Sequence, residues 1–328
     1  MKKILVALLC FFVAVSCFAS GNTEEVLTLE FYQQKREVVE LFDEIIARFE
    51  AENPGIKIEQ IHVADAGQVL TSRLAADDVP DVLTHWPNSG DYMAAALEGY
   101  FIDLTDDPVA NGALPSIIES IKLENKRNYA VPISINTQGV FYNTTLFKEY
   151  NLKIPTTWDQ FIALCNQIQK MGKTPLIWAD KDSWTMGQQL RMLLALDMDG
   201  YALIDAVKAG KADSMNSQDL KDVANKIVSL RKYGQPDAMG TSYEQAIFEF
   251  ASGNSFMFWQ GIWAIPSINK ANPDFTYSMF ALPAKTGLPT KVEYGVDLAM
   301  VVGNKDPKVV EAAKKFVAFV ATPEIGQL

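Results

Sequence analysis

Trp86, Trp178, Trp184 and Trp263, four of the six tryptophans, each stand where a strand or helix is expected to end. A flat side chain with two torsions and a polar N–H tip suits a water-lined cleft. There it can stack on a ligand that is apolar on one face and hydroxylated at its edges, as a pyranose ring is. Other reactive residue types are sparse. Cys165 shares a helical face with Phe161, Leu164 and Ile168, which makes it a buried small hydrophobe rather than a nucleophile. His62 and His85 stand apart, with no neighbouring residues at metal-ligand spacing, so neither a metal nor another cofactor is expected. The formal charge is −11 and no Lys/Arg cluster interrupts it, which argues against a nucleic-acid partner.

The elements that would position these side chains follow an α/β order. Leu27, Leu29 and Phe31 alternate with polar residues as in a half-buried strand. Val38, Leu41, Phe42, Ile45, Ile46 and Phe49 recur at helical spacing, Asn53-Pro54-Gly55 stops that helix, and a second strand runs from Ile56 to Val63. This βαβ unit implies a parallel sheet. A short helix over Val69–Ala76 precedes the brief strand Pro80–Thr84, whose carboxyl end delivers His85, Trp86 and Asn88. Ligands of open α/β sheets collect at such ends. Tyr129–Ile135 and Gly139–Asn143 read as extended. Thr157-Trp158-Asp159-Gln160 and Ser242-Tyr243-Glu244-Gln245 read as capping boxes, so Trp158 is structural. Strands are expected at Leu176–Ile177, Phe256–Trp259 and Gly295–Val302, followed by a helix that Asp306-Pro307 opens.

The first twenty residues form a secretory leader, with Lys2 and Lys3 ahead of the apolar run Ile4–Val15 and small residues at Ser16, Ala19 and Ser20. Ala14-Val15-Ser16-Cys17 resembles a lipobox, which would make Cys17 a lipidated first residue and hold the protein at a membrane by its lipid alone. Cleavage after Ala19 would instead release a soluble periplasmic form. At the other end, Thr322-Pro323-Glu324 opens a helix that four further residues cannot complete, so C-terminal helices are expected beyond Leu328.

The order of landmarks resembles that of the family 1 extracellular solute-binding proteins, the maltose-binding type that feeds ABC sugar importers. Phe49–Ile58, Pro80-Asp81-Val82, Tyr129–Pro132 with Gly139–Asn143, Pro155–Trp158, Gly253–Trp263, Phe280–Pro283 and Gly295–Val302 carry the likeness, in sequence, over nearly all of Leu27–Leu328. It implies a two-lobe periplasmic-binding-protein-like fold of type II, with the ligand cleft between the lobes. The N-lobe would comprise 26–133 plus 284–321, and the C-lobe 134–283 together with 322–328 and the expected tail.

The resemblance further implies a monomer that binds a mono- or oligosaccharide and docks on ABC permease subunits. It places Tyr32, Gln33 and Gln34 in the loop after the first strand, and Trp86 with Asn88 in the next one. Trp184 takes the second lobe's aromatic position, Trp263 follows Gln260-Gly261 on a short helix, and Gly295 and Asp297 approach from the returning strand. Trp178 and Trp259 could serve the ligand or cover a core edge. Asp297, between Val296 and Leu298, needs a partner: sugar hydroxyls or a backbone cap. Gln33 and Gln34 read equally as a solvated helix start. An exported glycosidase would need two carboxylates facing across a scissile bond, and no such pair can be singled out. A polyamine, iron or peptide carrier is the other alternative.

Overall fold

The computed structural model describes residues 26–198, 202–203, 206–207, 209–211, 215–285, 290–292 and 294–328. The leader and Cys17 therefore lie outside the described residues, as does the small, polar stretch Gly21–Glu25 that reads as a tether in the sequence.

The expected βαβ unit opens the fold. Strand β1 (Leu27–Tyr32) pairs in parallel with β2 (Ile56–Ile61), from Leu27 opposite Ile56 to Tyr32 opposite Ile61, across the Val39–Glu52 helix. That helix turns Phe42, Ile45, Ile46 and Phe49 into the core, the face its sequence spacing defines. Strand β3 (Val82–His85) lies parallel to β1 on its other side. β8 (Tyr294–Val302) then returns antiparallel between β3 and β4 (Val131–Asn143).

β4 is the strand that crosses the molecule. Its first half pairs with β8; its second half pairs with β6 (Met257–Gly261) and β7 (Tyr277–Phe280), and β5 (Leu176–Ile177) adds in parallel to β6. The two extended segments read from the sequence are thus one strand. Its register slips around Pro132 and Ser134, where a residue without an N–H cannot complete the ladder. Such irregularities let one strand serve two differently oriented sheets.

The apolar residues divide accordingly. In the first lobe, Phe31, Phe42, Phe49 and Phe316 pack beneath the sheet, with ring centroids 5.3 Å apart for Phe31–Phe316 and 5.1 Å for Phe49–Phe316; a second cluster around Leu83, Tyr92 and Val301 covers the other face. In the second lobe, Phe161, Leu193, Leu230 and Tyr233 form one cluster and Phe141, Phe250 and Ile268 another. Residues 322–328 depart from expectation. Ile325, 6% exposed, packs into the first lobe's core with Phe316 and Val320, because a turn held by Gly326 N–H donating to Thr322 O brings it back onto the helix before it.

Three expected caps are made: Thr157, Ser242 and Asp306 accept from backbone N–H groups of the helices they open. Cys165 is fully buried among Phe161, Leu164 and Ile168, and burial pushes its thiol up to about 12. Peptide mapping should therefore find Cys165 unlabelled by iodoacetamide at pH 8 in the folded protein and labelled after denaturation. Labelling in the native state would contradict its placement.

Candidate functional site

The crossing strands floor a cleft whose first wall starts at the carboxyl end of β1. The three polar side chains expected to face a ligand there turn inward instead. The Tyr32 hydroxyl donates to Ala66 O at 2.8 Å. Gln33 is fully buried, folded back onto the Lys35 backbone, with its own carbonyl 2.9 Å from His62 Nδ1. Gln34 donates through its backbone to Thr84 Oγ1 at 2.9 Å and through Nε2 to Thr84 O at 2.6 Å. These residues shape the loop, since polar groups withdrawn from water must find partners in the chain.

The loop's product is Lys35, which the sequence reading missed. Its ammonium pairs with Asp297 Oδ2, while Asn136 Nδ2 donates to Asp297 Oδ1 at 2.8 Å. The lone acid between two apolar residues thus finds its partner in a cation and an amide, not in a backbone cap. Asn136 opposes Gly295 across β4 and β8, so this cluster sits where the lobes join. A Cβ added at Gly295 would meet nothing within 4 Å; the backbone faces open space there.

Two tryptophans present exposed faces, one from each lobe. Trp86, 36% exposed, follows β3 and stands edge-on to His85 at 6.2 Å; Asn88 beside it is exposed. Trp184, 37% exposed, lies in the first turn of the Ser183–Asp197 helix. Its ring is 4.9 Å from Tyr243 and 6.2 Å from Trp263. The residue before this helix, Asp182, accepts the Tyr243 N–H at 2.7 Å, tying the starts of the Ser183–Asp197 and Tyr243–Ala251 helices together. Burial and the Glu37 carboxylate raise the Tyr243 pKa well above the usual phenol value, so it stays protonated. Trp263 is 8% exposed and its ring lies over Gly261, where a Cβ would come within 2.0 Å of it; glycine makes that close approach possible.

Trp178 and Trp259 belong to the core. They are 0% and 2% exposed, their rings 6.4 Å apart, and the Arg231 guanidinium sits 4.2 Å above Trp178. Trp259 Nε1 points at the Met192 sulfur 3.1 Å away. Of the two roles open to a strand-end tryptophan, serving the ligand or covering a core edge, both rings take the second. The Gln218–Leu230 helix and the turn after it lie against them. Gln260, 3% exposed, is enclosed in β6 opposite Gly139.

The lobes touch through exposed charges. Arg36 pairs with Glu244, and Glu40 with Lys270 at 2.5 Å. Exposed pairs of this kind contribute little individually, about 0–1 kcal/mol each. Among the described residues, no group of three or more His, Cys, Asp or Glu gathers as a metal site would require. The arrangement offers two exposed aromatic faces, Trp86 and Trp184, and a buried polar cluster of Lys35, Asp297 and Asn136 where β4 meets β8.

Comparison with known proteins agrees with this architecture. The multiple sugar-binding protein of Streptococcus mutans is 34% identical over 94% of this chain and 74% of its own length. The melibiose/raffinose/stachyose-binding protein MelE of Bacillus subtilis is 25% identical over 86% of this chain and 67% of its own. Among solved structures, the solute-binding protein RafE in complex with raffinose superposes with a TM-score of 0.77 at 31% identity, covering 92% of this chain and 79% of that one. The apo form of RafE from Streptococcus pneumoniae gives 0.69 at 30% identity, covering 92% and 78%. With the sequence profile of the bacterial extracellular solute-binding proteins matching residues 34–327, the chain belongs to that family.

Proposed function

We propose that this protein is the substrate-binding component of an ABC importer and captures a sugar, most simply an oligosaccharide, between its lobes. The observation that carries the reading is a pair of exposed indoles, Trp86 after β3 in one lobe and Trp184 at a helix start in the other. Asp297, Asn136 and Asn88 supply polar groups for hydroxyl edges, and Trp263 backs Trp184. The lobes are 26–133 with 284–321, and 134–283; the apolar clusters support that partition except at its edge, where Ala284 packs with the second lobe. Ligand shifts the open–closed equilibrium by its preference for the closed form, in which both indoles and the floor are completed together. The contacts joining Arg36 to Glu244 and Glu40 to Lys270, and the higher similarity to raffinose-bound than to apo RafE, support a closed arrangement here. The exported protein, tethered through Cys17 or free in the periplasm, would present that closed shape to a membrane permease.

Calorimetric titration with raffinose, stachyose, maltose, galactose, spermidine and ferric citrate tests this. Saturable binding of at least one sugar, with no binding of spermidine or iron and no cleavage products after prolonged incubation, is the expected result. Spermidine or iron binding without sugar binding would overturn the reading. Hydrolysis of an oligosaccharide would make the protein a glycosidase.

A further inference from the structure

We propose that His85 is a positioning residue for Trp86, fixing the angle at which that indole meets ligand. The inference deepens the sugar-binding reading and rests on it for its consequence in affinity. His85 ends β3, 2% exposed, with its ring 5.5 Å from Tyr92, so its own edges are closed to any ligand in the cleft. Its Nδ1 accepts the Trp86 backbone N–H at 2.9 Å. The Trp86 carbonyl in turn accepts from Ser89 N–H at 3.0 Å and from Ser89 Oγ at 2.9 Å. Both backbone polar groups of Trp86 are therefore tied, one to the strand end and one to the turn that enters the Gly90–Leu97 helix. Only the indole is left free to meet solvent.

The ring must stay neutral for this to work, because a protonated Nδ1 has no lone pair for the Trp86 N–H. Burial holds His85 down to about 4, against the opposing pull of the Asp91 carboxylate 3.7 Å from Nε2. With Nδ1 accepting, Nε2 carries the hydrogen and faces Asp91, which fixes the ring's tautomer. A buried aliphatic residue could fill the space, but it would leave the Trp86 N–H without this acceptor.

Fluorine NMR of protein labelled with 5-fluorotryptophan, with the Trp86 line assigned from Trp86→Phe, reads the positioning directly. His85→Leu should shift and broaden the Trp86 line while the Trp178 and Trp259 lines stay as in the unaltered protein. His85→Asn, whose side-chain oxygen can stand near Nδ1, should keep the Trp86 line close to its original position. If His85→Leu fails to fold, His85→Gln replaces it, since its longer arm puts the oxygen nearer Nε2 than Nδ1. In calorimetry with raffinose, His85→Leu should bind roughly fivefold more weakly, the loss of one hydrogen bond to a positioned donor. In a Trp86→Ala background it should cause no further loss. An unshifted Trp86 line in folded His85→Leu protein, or an equal loss of affinity without Trp86, would overturn the proposal. Trp86 lines that behave as expected in a protein that binds no sugar would uphold the positioning and remove the sugar reading instead.

Discussion

Asp297→Ala should cost both stability and ligand capture, with the larger effect on stability. Asp297 is 7% exposed and accepts from Lys35 on one oxygen and Asn136 on the other. Truncation strands the Lys35 ammonium, whose side chain is 10% exposed, without a counter-charge at the junction of the lobes. Breaking a buried pair by removing one partner costs about 3–5 kcal/mol, most of it the penalty of the charge left behind. A thermal melt should therefore show a fall of several degrees.

The cause can be separated from simple loss of volume. Lys35→Met/Asp297→Leu removes both charges and should melt well above Asp297→Ala, since replacing a whole buried pair with apolar groups is often near neutral. It should nonetheless bind sugar poorly, because the polar floor is gone. A double variant no more stable than the single one would show that the ion pair is not what holds this junction.

Trp184→Ala should do the reverse: weaken sugar binding by roughly tenfold or more while barely moving the melting temperature. A central aromatic anchor typically carries about 2 kcal/mol or more of binding when truncated. Trp184 is 37% exposed, so far less folding energy depends on it than on a buried ring. Trp184→Phe should recover part of the loss by restoring a stacking face. The contrast is Trp178→Ala, which removes a fully buried ring beneath Arg231 and should cost about 3–5 kcal/mol of stability. If Trp178→Ala weakened binding in a protein that melted normally, the division of the tryptophans between cleft and core would be wrong.

That division shows where sequence reasoning stopped. Periodicity and capping act over a few residues, so the Val39–Glu52 face, the β1–β2 pairing and the Thr157 and Ser242 caps could be read directly. Trp178 and Trp86 both follow strands and look alike locally. What separates them is the Gln218–Leu230 helix and Arg231, which cover one of the two from forty or more residues further along the chain. Gln34 differs from a solvated loop residue through Thr84, 50 residues on, and Gln33 through His62, 29 residues on, and its own turn onto Lys35. For Asp297 the need for a partner was visible from its apolar neighbours, but Lys35 lies 262 residues earlier and only the fold selects it. The continuity of β4 was hidden because the polar run Asn136-Thr137-Gln138 looks like a break, whereas the strand runs through it, pairing Asn136 and Thr137 with β8 and Gln138 with β6.

The position of raffinose in a co-crystal tests the central claim most directly. The account predicts a sugar ring in the interlobe cleft, one face against Trp184, with Trp86 on the opposite wall and hydroxyls within hydrogen-bonding distance of Asp297 or Asn136. A saturated crystal whose cleft holds no sugar, or whose sugar lies on the outer face of the second lobe beside Trp158 and Lys226, would contradict it.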